Sequence, residues 1–133
     1  MWSPPAGGAS ATRLGRFLEF CAERRGLMFD DYDALWRWSI GDDPRDPAGL
    51  EECWAAVWDF FDVRASTPYE TVLDERVMPG ARWFPGARLN YAEHALRAEG
   101  DVAVVGRSQS RPRVELTCQE LRDQVAALRR AFF

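Results

Sequence analysis

The sequence predicts an α+β chain: a mainly helical N-terminal layer, then a β-hairpin and one further helix that begin an α/β unit. Three observations predict this. Apolar residues recur at helical spacing in three stretches between Ala11 and Phe61, the pattern of amphipathic helices packed on one another. From Asp101 the period changes. Val102-Ala103-Val104-Val105-Gly106 is a continuous apolar run and Arg113-Val114-Glu115-Leu116 alternates, which together read as a hairpin. Thr117-Cys118-Gln119-Glu120 then has the spacing of a capping box and opens a helix.

Residues 1–9 are rich in Pro, Gly and Ala and read as a loose tail, without the apolar stretch of a secretory signal. Ser10 is expected to cap a helix over 11–25, with Leu14, Phe17, Leu18 and Cys21 on one face and Gly26 as the stop. Asp31 or Asp33 starts a second helix carrying Leu35, Trp36 and Ile40, closed by Gly41-Asp42-Asp43-Pro44. Trp36 and Trp38 fall on different sides of it, so one of the two is expected to face outward. Asp46-Pro47 reads as a cap followed by Pro at the first helical position, where the missing N–H costs nothing. The third helix, about 47–61, places Leu50, Trp54, Val57, Trp58 and Phe61 on one broad stripe with Cys53 beside it, a core face.

Residues 62–82 read as irregular, punctuated by Pro68, Pro79 and Gly80. The most distinctive stretch follows, Trp83-Phe84-Pro85-Gly86-Ala87-Arg88-Leu89-Asn90-Tyr91-Ala92-Glu93. Pro85 and Gly86 suit the central positions of a type II turn, where Pro sets φ and Gly supplies a positive one. Asn90 and Glu93 have capping-box spacing for a helix to about Glu99, with Gly100 beyond its end. The apolar run at Val102 to Gly106 predicts a strand buried on both faces. The last helix carries Leu121, Val125 and Leu128 on one face and is still running at Ala131-Phe132-Phe133, so the sequence reads as a segment cut near a helix end.

Composition excludes several functions. Six Trp and eight Phe supply a core and more apolar surface than a chain of 133 residues readily covers. The 17 basic residues are all Arg, so no lysine-dependent chemistry can be completed here. A net charge of −4 leaves no footprint for nucleic acid. No run approaches the ~20 apolar residues of a membrane span. Cys21, Cys53 and Cys118 are far apart, and His94 is the sole histidine, so a zinc site with its usual four convergent ligands is not expected. Buried reduced thiols in a cytoplasmic protein are the expectation. Asp30, Asp31, Asp33, Asp42, Asp43 and Asp46 flank helix starts, where acids favour the macrodipole, and read as structural rather than catalytic. Arg82 and Arg88 flank the Pro-Gly turn and are expected to pair with neighbouring acids rather than hold an anion. No phosphate-loop pattern exists. No residue is assigned a catalytic, cofactor-binding or metal-ligating role.

Four stretches carry a family resemblance. Asp31 to Ile40 resembles the "YxxLxxWSV" segment near the start of acetoacetyl-CoA synthetases, and Trp54 to Phe61 their "FWxAVWDFF". Met78 to Glu93 is similar to the family's most recognisable N-terminal signature. Val102 to Leu128 resembles the opening hairpin and helix of the AMP-binding module of adenylate-forming enzymes, so the likeness spans about residues 11–130. Departures are Cys53 in place of a usual Phe, a small insertion around Asp42 to Gly49, and His94 in place of a common Asn. The family's phosphate loop, ATP-contacting motifs, hinge and lysine-bearing C-terminal domain lie outside this sequence.

The resemblance implies the N-terminal part of an acid–thiol ligase. Residues 10–99 would be its helical N-terminal region, and 100–133 the start of the large adenylating domain. The parent would use ATP, Mg²⁺ and CoA to convert acetoacetate to acetoacetyl-CoA through acetoacetyl-AMP. This segment would bind none of them and would be inactive alone. Its partner would be the remainder of the ligase, with no nucleic acid or membrane involved. Two other readings stand beside it: a stand-alone non-catalytic interaction module or degenerate fragment, and a ligase for another short acid such as acetate or propionate. The aromatic load also predicts self-association or apolar-dye binding by the isolated chain.

Overall fold

The computed structural model describes residues 8–97 and 100–132. The sequence expectations for residues 1–7, 98–99 and 133 lie outside them. The chain divides into two compact units, one up to Arg88 and one from Leu89 on.

The first unit opens with a 3-10 turn at Ala9–Ala11 and helix α1 (Arg13–Arg25). Thr12, not Ser10, caps α1: its hydroxyl accepts from the Gly15 N–H at 3.0 Å, while Ser10 sits in the preceding turn. Helix α2 (Tyr32–Ile40) is capped by Asp31, whose carboxylate accepts from the Ala34 N–H at 2.8 Å. Both helices stop at a glycine in the left-handed region, Gly26 at φ 66° and Gly41 at φ 71°. This conformation costs other residues the Cβ clash.

Helix α3 (Gly49–Phe60) starts later than Asp46-Pro47 suggests. Asp46 is drawn into tertiary structure instead: one carboxylate oxygen accepts from Trp38 Nε1 at 2.9 Å, the other from the Ala48 N–H at 3.2 Å. Its inward face also differs from the expected stripe. Gly49, Cys53 and Ala56 are buried, at i, i+4 and i+7, while Trp54 and Phe61 stay exposed. The small residues let α1 and α2 approach closely. A Cβ on Gly49 would lie 2.5 Å from both Cδ1 and the carbonyl oxygen of Trp38.

The core is thus Phe17, Cys21, Leu35, Trp38, Cys53 and Ala56, with Phe20, Phe29 and Phe60 packed against it. Phe60 meets Phe17 edge-on at 5.4 Å between centroids, and Phe29 leans on Trp38 at 5.0 Å. Arg25 and Asp59 pair at 2.6 Å across the ends of α1 and α3. The stretch after α3 is not irregular throughout. It holds strands β1 (Ala65–Thr67), β2 (Leu73–Glu75) and β3 (Arg82–Trp83), with β2 and β3 antiparallel. Strand β4 (Arg88–Leu89) falls at the divide between the units.

In the second unit, helix α4 (Tyr91–Leu96) is shorter than expected and closes at Arg97. Strands β5 (Val102–Gly106) and β6 (Val114–Thr117) form the antiparallel hairpin, with Val104 opposite Leu116 and Val105 opposite Glu115. Helix α5 (Cys118–Phe132) follows at once. Thr117 and Glu120 make the capping box in both directions: Glu120 N–H donates to Thr117 Oγ1 at 3.1 Å, and Thr117 N–H to Glu120 Oε2 at 2.8 Å. The expectation of a strand buried on both faces is wrong for this chain. Val102, Val104 and Val105 remain 44%, 46% and 46% exposed. A hairpin gives each strand a single neighbour, and α5, though it touches β5, leaves its residues exposed.

Candidate functional site

The first part of the distinctive stretch, Trp83 to Ala87, is held over α3 by its rings and to the preceding loop by backbone hydrogen bonds. Trp58 on α3 lies 4.7 Å from Phe84 and 5.1 Å from Tyr69, which are 5.2 Å from each other. Trp54 stacks on Trp83 at 5.3 Å. Offset and edge-on contacts of this kind each add about 0.5–1.5 kcal/mol beyond area burial. The type II turn forms as the sequence predicts: Ala87 N–H donates to the Phe84 carbonyl at 3.2 Å and Gly86 has φ 83°. Two further bonds fasten the turn to the preceding loop, Glu70 N–H to the Pro85 carbonyl at 2.9 Å and Phe84 N–H to the Val72 carbonyl at 2.8 Å. A Cβ on Gly86 would meet only the exposed Glu70 carboxylate, at 3.0 Å, which can swing aside, so it is the positive φ that calls for glycine here. Asn90 caps α4, its side chain accepting from the Glu93 N–H at 3.3 Å. Tyr69 is the member of this cluster that periodicity does not find, because it lies in a loop and reaches its partners through tertiary folding.

The aspartates converge more than their sequence positions suggest. Asp30, Asp31, Asp33 and Asp43 line one cleft of about 400 Å³ with Arg37 and Arg45. Arg45 grips Asp43 through Nε at 3.0 Å and a terminal nitrogen at 2.8 Å, and its backbone N–H adds a third bond at 2.9 Å. Those side-chain bonds, then the backbone one, hold the Asp43 carboxyl down at about 2. A carboxylate so committed is no general base at neutral pH. Among the described residues no group of three His, Cys, Asp or Glu is placed to hold a metal ion.

Arg82 pairs with Asp74 at 3.3 Å and Glu75 at 3.4 Å, as expected of a structural arginine. Arg88 is exposed, and its carbonyl accepts from Ser66 Oγ at 3.2 Å. His94 is half-buried within α4. All three cysteines are buried free thiols. Burial, with the neighbouring Cys21 second, pushes the Cys53 thiol up to about 11, and burial raises Cys21 against the opposing charge of Arg25. Neither is a nucleophile at neutral pH.

The family described as acetyl-coenzyme A synthetase N-terminus matches residues 32–95, which include α2, α3, the stapled turn and most of α4. Within that class the likeness is narrower. An acetoacetyl-coenzyme A synthetase of Rhizobium meliloti is 33% identical over 98% of this chain and 19% of its own length. A malonamoyl-CoA synthetase of Penicillium aethiopicum is 32% identical over 86% of this chain and 16% of its own. The solved acetoacetyl-CoA synthetase of Streptomyces lividans superposes with a TM-score of 0.76 at 45% identity, over 96% of this chain and 19% of that one. The chain is similar, in sequence and fold, to the N-terminal segments of these acetoacetyl-CoA synthetases, and spans about a fifth of their length.

Proposed function

We propose that this chain serves as the N-terminal segment of an ATP-dependent acetoacetate–CoA ligase. The complete enzyme joins acetoacetate to CoA with cleavage of ATP to AMP and diphosphate, through acetoacetyl-AMP. The observation that carries this reading is the 45% identity to the Streptomyces lividans enzyme across 96% of the chain. In the complete enzyme residues 10–99 would form the helical N-terminal region and 100–133 the start of the adenylating domain. The remainder of the ligase is the partner, and the location is cytoplasmic.

The residues present here do not fit ATP, Mg²⁺ or CoA. The chain has no lysine and no phosphate-loop pattern. Its described acids offer no metal cluster, and its most perturbed carboxylate is committed to Arg45. No catalytic, cofactor-binding or metal role is therefore assigned to any position, and no reaction step is routed through one. The role proposed for the segment is mechanical. The apolar run on β5 calls for cover on both faces, and the remainder of the ligase is proposed to supply it.

The complete gene product carrying this segment is the material for the test. Diphosphate release requiring acetoacetate is expected from it, with acetoacetyl-CoA forming when CoA is added. The 133-residue chain alone is expected to release none. Activity of the short chain, or a complete protein inert with acetoacetate, overturns the reading. The likeness to a malonamoyl-CoA synthetase favours one competing acid, so malonamate belongs in the substrate panel with acetate and propionate.

A further inference from the structure

The hairpin of the second unit closes through a long, basic loop. Gly106 and Val114 are the last pair of the β5–β6 ladder, and residues 107–113 span the gap between them. Hairpins usually close in about two to five residues. Every residue of this loop is exposed. It carries Arg107, Arg111 and Arg113 and no acid, with Ser108 and Ser110 between the first two arginines. Arg113 is taken by Glu115 on β6. Arg107 and Arg111 pair with no acid among the described residues.

The two serines are not equivalent. The Ser110 N–H donates to Ser108 Oγ at 3.3 Å, which folds a local turn and commits the Ser108 oxygen as an acceptor. Among the described residues the Ser110 hydroxyl has only its 3.4 Å contact with Ser108 Oγ, long for two hydroxyls, and is otherwise open to solvent. Downstream, Pro112 has no N–H and biases Arg111 toward an extended backbone. A partner can draw this part of the loop out straight without breaking a ladder bond.

An exposed hydroxyl flanked by unpaired cations, on a backbone that extends freely, has the chemistry of a phosphoryl acceptor. We propose that Ser110 is a phosphorylation site, modified by a serine protein kinase that selects arginine around its acceptor. Kinases discriminate among substrates by charge pattern. Here the pattern is Arg107 three residues before the acceptor and Arg111 directly after it. In the reaction Ser110 Oγ bonds to the γ-phosphorus of the kinase's ATP. The bond from that phosphorus to the β–γ bridging oxygen breaks, ADP leaves, and the hydroxyl proton passes to the kinase's catalytic aspartate. The product group carries about −1.5 to −2 charges at neutral pH. Arg107 and Arg111 are the cations placed to take it in charge-assisted hydrogen bonds, and the loop holds no carboxylate to repel it. The inference goes beyond the ligase reading and stands without it.

The 133-residue chain incubated with ATP, Mg²⁺ and an arginine-directed serine kinase tests it, read by intact mass and by fragmentation of the loop peptide. One phosphoryl group on Ser110 is expected. Ser110→Ala should lower incorporation at least about tenfold, while Ser108→Ala keeps it within about twofold. Arg107→Ala should lower kcat/KM for the chain at least about tenfold, and an acid-directed kinase should modify Ser110 at least about tenfold more slowly. All three substitutions fall on exposed loop residues outside the ladder, so loss of the fold does not imitate the result. No transfer, or transfer to another residue, overturns the inference. Transfer to Ser110 that is indifferent to Arg107 and to the kinase's charge preference overturns it equally, because it marks a serine that is merely accessible.

Discussion

Gly49→Ala is the smallest change that tests how the core is built. The added Cβ would lie 2.5 Å from Trp38 Cδ1 and 2.5 Å from the Trp38 carbonyl oxygen. The oxygen belongs to helix backbone, and the ring belongs to a side chain 1% exposed, so neither end can swing away. Overpacking of this kind costs about 1–3 kcal/mol. Moving the indole also strains the Trp38–Asp46 hydrogen bond of 2.9 Å, a contribution of about 1 kcal/mol. Against this stands the helix-propensity gain of Gly→Ala, about 1 kcal/mol at most. The steric term wins, and the net effect is about 2 kcal/mol destabilising, or roughly 8–16 °C in Tm for a unit of this size. Urea or thermal unfolding followed by tryptophan fluorescence reads it cleanly, because the Trp among the described residues, at 36, 38, 54, 58 and 83, all lie in the first unit. A variant as stable as the parent, or more stable, shows that propensity rules at this position and that the close approach of α2 and α3 is not a constraint.

Two further outcomes follow from named groups. Thr117→Ala removes the hydroxyl that accepts from Glu120 N–H and donates to Glu120 Oε2. It is expected to cost about 1 kcal/mol, seen as roughly fivefold faster amide exchange in the first turn of α5, with unchanged exchange there counting against the cap. Asp43, held at about 2 by Arg45, has a folded pKa below its unfolded one. Its contribution to stability is therefore present above about pH 4 and lost as pH falls toward 2, and Arg45→Ala should remove that acid-limb slope, which pH-dependent unfolding of the two proteins compares.

Much of the fold was legible because it rests on local chemistry. Glycines at 26 and 41 stop helices by adopting positive φ, and the Pro85-Gly86 turn closes from its own two residues. The Thr117–Glu120 and Asn90–Glu93 caps are interactions within one turn. Errors came where distant partners compete. Asp46 leaves the α3 cap because Trp38 Nε1, once buried, requires an acceptor and Asp46 is within reach. The stripe of α3 shifts from its large residues to Gly49, Cys53 and Ala56 because close helix approach rewards the smallest side chains. The large aromatics are left to take Trp83, Phe84 and Tyr69 instead.

The sequence by itself determined the order of the helices and the final hairpin, the Pro85-Gly86 turn, the lack of lysine and of a phosphate loop, and the likeness to acetoacetyl-CoA synthetases. Tertiary structure decided which surfaces those elements hide. A continuous apolar run such as Val102 to Gly106 states that a strand can be covered on both faces, and only the packing states that here it is not. Likewise Trp36 and Trp38 are alike in the sequence, two residues apart on one short helix. One is sealed in the core with a hydrogen-bonded indole, and the other lies on the outer face. Hydrophobicity is a property of the residue, but burial is a property of its neighbours.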